Sequence, residues 1–248
     1  GVQDNKGPAI AVLYAMKYCS EHGWLRNIRV RQILGCQEES GMKDVEYYLS
    51  HYPAPEYSFV ADCGFPVCCG EKGHYHITLQ SMEKPEEFSD FSGGTVPNSV
   101  PSRAYAVLES GECVEADGIG GHAAFPDGTV NALHVLCAQL EKRGLMKKLS
   151  WKTQQLVSFL ADASGDGYGE KIGIACEDEV SGRLTCNAGV ARLENGYLTV
   201  QLDIRYPVTM KAEAFLEKLT DRAEKAGFSV THTEDSAPYY MEKTHPFV

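Results

Sequence analysis

Acidic residues at three places in the first quarter of the chain have the types and settings for metal-assisted chemistry. Asp4 lies in GVQDNKGP, just ahead of a helical pattern. Glu38 and Glu39 lie in LGCQEESG, just after a strand-like run, and Asp62 ends another such run in FVADCGFP. Carboxylate oxygens bind zinc at ~2.0–2.2 Å, and a further carboxylate can take a proton from an activated water. The Glu38–Glu39 pair is informative by itself. Adjacent carboxylates repel unless something positive lies between them. On extended backbone their side chains point to opposite sides, so one can face a metal and the other a water or substrate. For the pair alone an exposed acidic turn is the competing explanation. Farther along stand His122 in GGHAAFP, Asn98 in a Pro-bounded loop (VPNSVP) and Arg205 at a strand end (LDIRYPV). A neutral His or Asn can donate to a developing negative charge, and Arg grips carboxylates with two donors. Each also has a plain explanation, as a polar loop residue, a turn former or a surface charge. His74 and His76 alternate in GHYHITL and could bind a metal as a pair, whereas His232 and His245 have no supporting neighbours.

These residues need elements to place them. Residues 8–22 have helical spacing of Ile10, Leu13, Tyr14 and Lys17, with Pro8 near the start and Gly23 as the stop. Residues 28–35 and 57–62 read as buried strands, and Gly41 and Met42 open a second helix. That alternation predicts an α/β layer with a largely parallel sheet. Ligands bind beyond the carboxyl ends of strands in such sheets, so the three acidic sites are expected to converge. The texture changes near residue 78, and residues 82–101 read as a linker or long loop. Beyond it come strands at 104–108 and 112–118, a helix at 128–143 and a helical stretch at 151–161. Strands at 186–193 and 197–205 follow, joined by Glu194-Asn195-Gly196, a hairpin signal. A helix at 210–226 capped by Gly227 and a strand at 228–234 complete a split βαβ, ferredoxin-like order.

The net charge is -11, from 23 basic and 34 acidic residues, with no Lys/Arg cluster. That excludes the basic patch by which nucleic acid or an anionic membrane surface would be held. No apolar run reaches the ~18–20 residues of a membrane span. The nine cysteines are odd in number and form no paired C-x-x-C knuckles, so they read as reduced, mostly buried thiols of a cytoplasmic protein.

GVQDNKGPAIAVLYAMK, LGCQEESG and ADCGFPV followed by GEKG together resemble the two-zinc family of aminoacylases, carboxypeptidases and dipeptidases. GGTVPNSVPSRA, GIGGHAAFPDGTVNAL and LDIRYPV resemble lid-domain motifs of its PepV-type dipeptidase branch. The resemblance implies a zinc-peptidase catalytic domain over residues 1–78, an inserted ferredoxin-like α+β lid over 79–238, and a return to the catalytic domain over 239–248. It implies two zinc ions, with Mn or Co as possible substitutes. On this resemblance Asp4 would bridge them, Glu39 would bind one and Asp62 the other, and Glu38 would be the general base. His122 would stabilise the oxyanion, while Asn98 and Arg205 would hold the substrate, Arg205 at its carboxylate. The implied substrate is a small peptide. The lid's length of about 160 residues favours the dipeptidase branch, whose members complete their own site as monomers.

The same resemblance implies a His-x-Asp upstream of Asp4 and a late His ligand, neither of which this sequence supplies. The chain therefore reads as a fragment of a longer enzyme, inactive alone. An aminoacylase or carboxypeptidase-like deacylase of the same family is the nearest alternative. A non-catalytic lid or interaction fragment is the alternative of another class. The resemblance also sets the His74–His76 strand away from the metal site.

Overall fold

The computed structural model describes residues 2–38, 41–64 and 66–248, with side chains for all of these but Gln3 and Asp4. Contacts divide the chain into two units, one of Gly1–Cys69 with Glu242–Val248 and one of Gly70–Met241.

In the first unit a π-helical turn, Val2–Lys6, runs into α1, Gly7–Glu21, with Pro8 in its first turn. Gly23, at φ 71°, follows the end of α1, where a left-handed residue costs glycine nothing. The second helix, α2, spans Lys43–His51. Residues 28–35 and 57–62 are not strands, and the described residues of this unit contain no sheet, parallel or otherwise. A strand exists only through a neighbour that accepts its ladder, and neither run has one. The 28–35 segment is tied instead by a side chain, Gln32 Nε2 donating to the Ala9 carbonyl at 2.7 Å. No described apolar side chain of the unit is buried; Ile10 and Leu13 of α1 are 54% and 51% exposed.

The second unit contains β1 (Gly70–Glu71), β2 (Gly73–Ser81), β3 (Phe88–Gly93), β4 (Ser99–Val100), β5 (Arg103–Leu108), β6 (Cys113–Asp117) and β7 (Gly121–His122). Then follow α3 (Ala132–Lys142), α4 (Trp151–Ala163), β8 (Glu177–Asp178), β9 (Gly182–Arg183), β10 (Thr185–Glu194), β11 (Tyr197–Tyr206), α5 (Glu213–Lys225), β12 (Phe228–Ser236) and β13 (Tyr239–Tyr240). Seven strands make one antiparallel sheet in the order β12-β2-β11-β10-β3-β5-β6. Residue 78 lies inside β2, so that strand belongs whole to this unit. The stretch 82–101 is not a linker, because it holds β3 and β4. Phe88 and Phe91, 3% and 1% exposed, anchor β3 in the core in spite of the polar residues around them.

Strand alternation divides the sheet into two faces. Tyr75, Ile77 and Leu79 of β2 and Val200, Leu202 and Ile204 of β11 enter the core. Phe215, Leu219 and Ala223 meet them from α5 at helical spacing, with Tyr75 edge-on to Phe215 at 5.9 Å between centroids. Each such large side chain contributes roughly 1.5–3 kcal/mol by leaving water. Asn195 and Gly196 turn β10 into β11 with φ of 53° and 84°, the left-handed pair that a two-residue hairpin needs. Asn131 starts α3 by accepting the Leu133 N–H at 2.9 Å, so the helix begins later than residue 128. No described helix is long and apolar enough to cross a membrane.

Candidate functional site

In the first unit, Asp4 lies in the π-helical turn, its side chain outside the described residues, as is Glu39 altogether. Glu38 and Asp62 are exposed. Two side-chain ties bear on where these segments lie. Asn5 Nδ2 donates to the Ala61 carbonyl at 2.9 Å, which sets the Asp4 turn beside the residue that precedes Asp62. Asp44 Oδ2, in the first turn of α2, accepts the N–H of Cys36 at 2.5 Å and of Gln37 at 3.1 Å, and so fastens the segment that leads into Glu38. Those amide donations, the one from Cys36 foremost, hold the Asp44 carboxyl below its ordinary range.

In the second unit the structure brings the segments of Asn98 and His122 together. Ser99 pairs with His122 across β4 and β7, and Ala123 N–H donates to the Asn98 carbonyl at 3.0 Å. Both side chains are exposed. Their support is Asn187 of β10, only 4% exposed. Its Nδ2 donates to the carbonyls of Pro97 at 2.9 Å and Ser99 at 3.0 Å, on either side of Asn98. Its Oδ1 accepts from Asn131 Nδ2 at 3.2 Å, and Asn131 also donates to the Ala188 carbonyl. The neighbouring Gly189 lets the loop close onto β10, since a Cβ there would lie 2.1 Å from the Pro97 carbonyl oxygen. A bulge between Ala188 and Val190 shifts the register at this point.

Arg205 sits on β11, on the sheet face opposite the core. Its cross-strand partners are His74 of β2 and Thr185 of β10, and two residues back Asp203 lies between His76 and Asn187. The Asp203 side chain is fully buried. Its Oδ2 meets His74 Nε2 at 2.7 Å and His76 Nε2 at 3.1 Å, and its Oδ1 accepts from Arg205 Nε at 3.3 Å. Burial pushes this carboxyl up, but the histidine hydrogen bonds and the Arg205 charge outweigh it and hold the group far below the usual carboxylate range. The donor atoms of His74, His76 and Asp203 all lie within 4.8 Å of one another, close enough to hold a metal ion.

Asn187, Asp44 and Asp203 are absent from the sequence-derived site. Two of them leave a trace there. Asn and Asp are disfavoured inside a strand, yet Asn187 sits in TCNAGV and Asp203 sits on the polar positions of the alternating run LTVQLDIRY. The cysteines differ from expectation. Cys137 and Cys186 are buried, but Cys36, Cys63, Cys68 and Cys113 are exposed, because they fall in loops of the first unit or on the outward positions of a strand.

The chain is similar along its whole length to proteins named as dipeptidases. It is 30% identical over 284 residues to a Bacillus subtilis (strain 168) protein named "Putative dipeptidase YtjP", a match covering 100% of this chain and 60% of that protein. It is 24% identical over 285 residues to the Beta-Ala-Xaa dipeptidase of Lactobacillus delbrueckii subsp. lactis, covering 100% of this chain and 59% of that protein. The chain thus spans about three fifths of the length of these curated relatives. Among solved structures, an aminoacylhistidine dipeptidase from Vibrio alginolyticus matches with a TM-score of 0.40 and 14% identity, over 72% of this chain and 46% of that one. No protein-family model matches the chain.

Proposed function

We propose that this chain is part of a metal-dependent dipeptidase that hydrolyses the amide bond of small peptides. The observation that carries the reading is the similarity over 100% of the chain to relatives named as dipeptidases. Local geometry supports it. The Asn5–Ala61 hydrogen bond sets the Asp4 turn beside the Asp62 segment, and Asp44 holds the approach to Glu38 and Glu39.

Asp4, Glu39 and Asp62 would supply carboxylate oxygens to divalent cations; such oxygens alone suit Mn²⁺, and a zinc-class ion would need nitrogen ligands beside them. Such cations, when bound, supply Lewis-acid polarisation of the scissile carbonyl. Glu38 takes the proton of the attacking water and returns it to the leaving amine. His122 donates a hydrogen bond to the oxygen on which negative charge develops. Asn98 orients the substrate from the neighbouring loop. Arg205 spends Nε on Asp203, which leaves its terminal amino groups to grip the substrate carboxylate. In this reading β12-β2-β11-β10 with α5 is the ferredoxin-like part of a lid, and the first unit belongs to an α/β catalytic domain. Three carboxylates for two cations leave each under-coordinated, so in the 248-residue chain these three residues hold zinc weakly and the chain is inactive by itself. In this reading the remaining ligands come from the longer protein.

Metal analysis and a dipeptide assay test this on the longer protein. Glu38→Gln should lower turnover by roughly 10²–10⁴-fold with metal content unchanged, since a general base is not a ligand. Loss of metal from that variant, or full activity in it, overturns the assignment.

A further inference from the structure

We propose that His74, His76 and Asp203 form a binding site of their own for a divalent cation of the zinc class, built wholly within the sheet of the second unit. The inference stands independently of the hydrolytic reading.

Residues two apart on a strand share a face, so β2 presents both imidazoles on one side of the sheet. Asp203 lies opposite His76 in the β2–β11 register. Both Nε2 atoms close on a single oxygen, Asp203 Oδ2, at 2.7 and 3.1 Å. Ligands held at ~2.0–2.1 Å in a tetrahedral zinc site stand about 3.3 Å from one another. The two N···O spacings reach that value if the imidazoles draw back from Asp203 by roughly 0.2 to 0.6 Å. Two imidazole nitrogens and one carboxylate oxygen are a borderline donor set, suited to late first-row ions and poorly suited to Mg²⁺ or Ca²⁺.

The surroundings have the form of a supported site. The Asp203 carboxylate cannot wander, because its side chain is fully buried and its other oxygen accepts from Arg205 Nε. A ligating carboxylate with its second oxygen hydrogen-bonded is the usual outer-shell arrangement. The imidazoles are about one third exposed, 34% and 32%, so the side away from Asp203 is open to solvent. Three protein ligands with an open remainder leave room for water or a small anion. Glu234, the β12 partner of His76, adds negative charge to the same row of the sheet.

Histidine-selective ¹⁵N NMR of the 248-residue chain during Zn²⁺ addition tests the proposal, with His74→Gln and His76→Gln assigning the signals. The Asp4→Asn/Glu39→Gln/Asp62→Asn triple variant serves as the second background and also separates this test from the dipeptidase reading. The Nε2 signals of His74 and His76 should move together at about one equivalent in both backgrounds. His74→Gln should abolish the response of His76 and weaken zinc at this site by more than tenfold. An unchanged His134 signal, from a ring bonded to the Ala161 carbonyl, verifies that each variant is folded. If the two signals stay fixed at tenfold excess, or move only when Asp4, Glu39 and Asp62 are intact, the site does not exist. An undiminished response of His76 in the His74→Gln variant overturns it equally.

Discussion

Replacing Asn187 by Ala removes the side chain that bonds the carbonyls on either side of Asn98 to β10. Three hydrogen bonds disappear, two donated to the Pro97 and Ser99 carbonyls and one accepted from Asn131. Asn131 keeps the Ala188 carbonyl as a partner, so its loss is partial. The two carbonyls lose a donor in a place closed off by Gly189 and β10. At ~1–3 kcal/mol for each buried group left unsatisfied, with some recovered by relaxation, the expected cost is roughly 2–4 kcal/mol. Urea unfolding followed by circular dichroism reads the total. Hydrogen exchange of peptides covering residues 118–131 reads the local part, because Ala123 N–H bonds to the Asn98 carbonyl and His122 pairs with Ser99. Exchange there should rise strongly while β11 peptides stay protected. Asn131→Ala combined with Asn187→Ala should cost less than the sum of the two, since the residues share a bond. A loss below about 0.5 kcal/mol with unchanged exchange at 118–131 would refute the view that Asn187 positions both loops.

Other outcomes follow from the titrating groups. Burial raises the Cys137 thiol to about 12 and carries Cys186 well above its usual range. Iodoacetamide at pH 8 should therefore modify exposed Cys36, Cys63 and Cys113 and spare these two, as read by peptide mass; equal labelling of Cys137 would mean its helix opens freely. Asp178 accepts from Ser181 and Thr209, and these bonds outweigh its burial and depress its pKa strongly. Its contribution to stability is then complete above the unfolded value of ~3.9 and is lost as pH falls from there toward the lower native value. Asp178→Asn should flatten that acid limb of the stability profile, and an unchanged slope would show that the bonds carry no linkage.

The second unit was largely legible from pattern alone. Its hairpin is signalled by Asn195-Gly196, and α5 by Phe215, Leu219 and Ala223, which local chemistry decides without the rest of the chain. The strand β3 was not, because Phe88 and Phe91 stand among Ser, Asp, Glu and Gly, and their burial depends on β5 and β10 arriving from elsewhere. The first unit was the reverse. The runs at 28–35 and 57–62 have strand composition, but composition supplies no ladder partner. Among the proposed site residues, Asn98 and His122 could be picked out singly from motifs, and hydrogen bonds join their segments in the structure. What joins them, Asn187, is invisible without the β10 register. Asp203 was missed for a related reason: a carboxylate on the polar row of an alternating strand has meaning only once the strand beside it is known to carry His74 and His76.

The order of pairing in the sheet has a kinetic consequence. Among the described strands β2 bonds to β11 and β12, so His74 waits for Asp203, 129 residues later in the chain. During synthesis β2 emerges long before either neighbour, with Tyr75, Ile77 and Leu79 on a strand whose two edges are both unpaired. The intervening β3, β5, β6, α3 and α4 can collapse first around contacts close in sequence, while closure of β2 pays for a long loop and comes late. The nascent chain is most prone to aggregate in that interval. The His74–Asp203 bond, formed only when the last strands dock, marks its end.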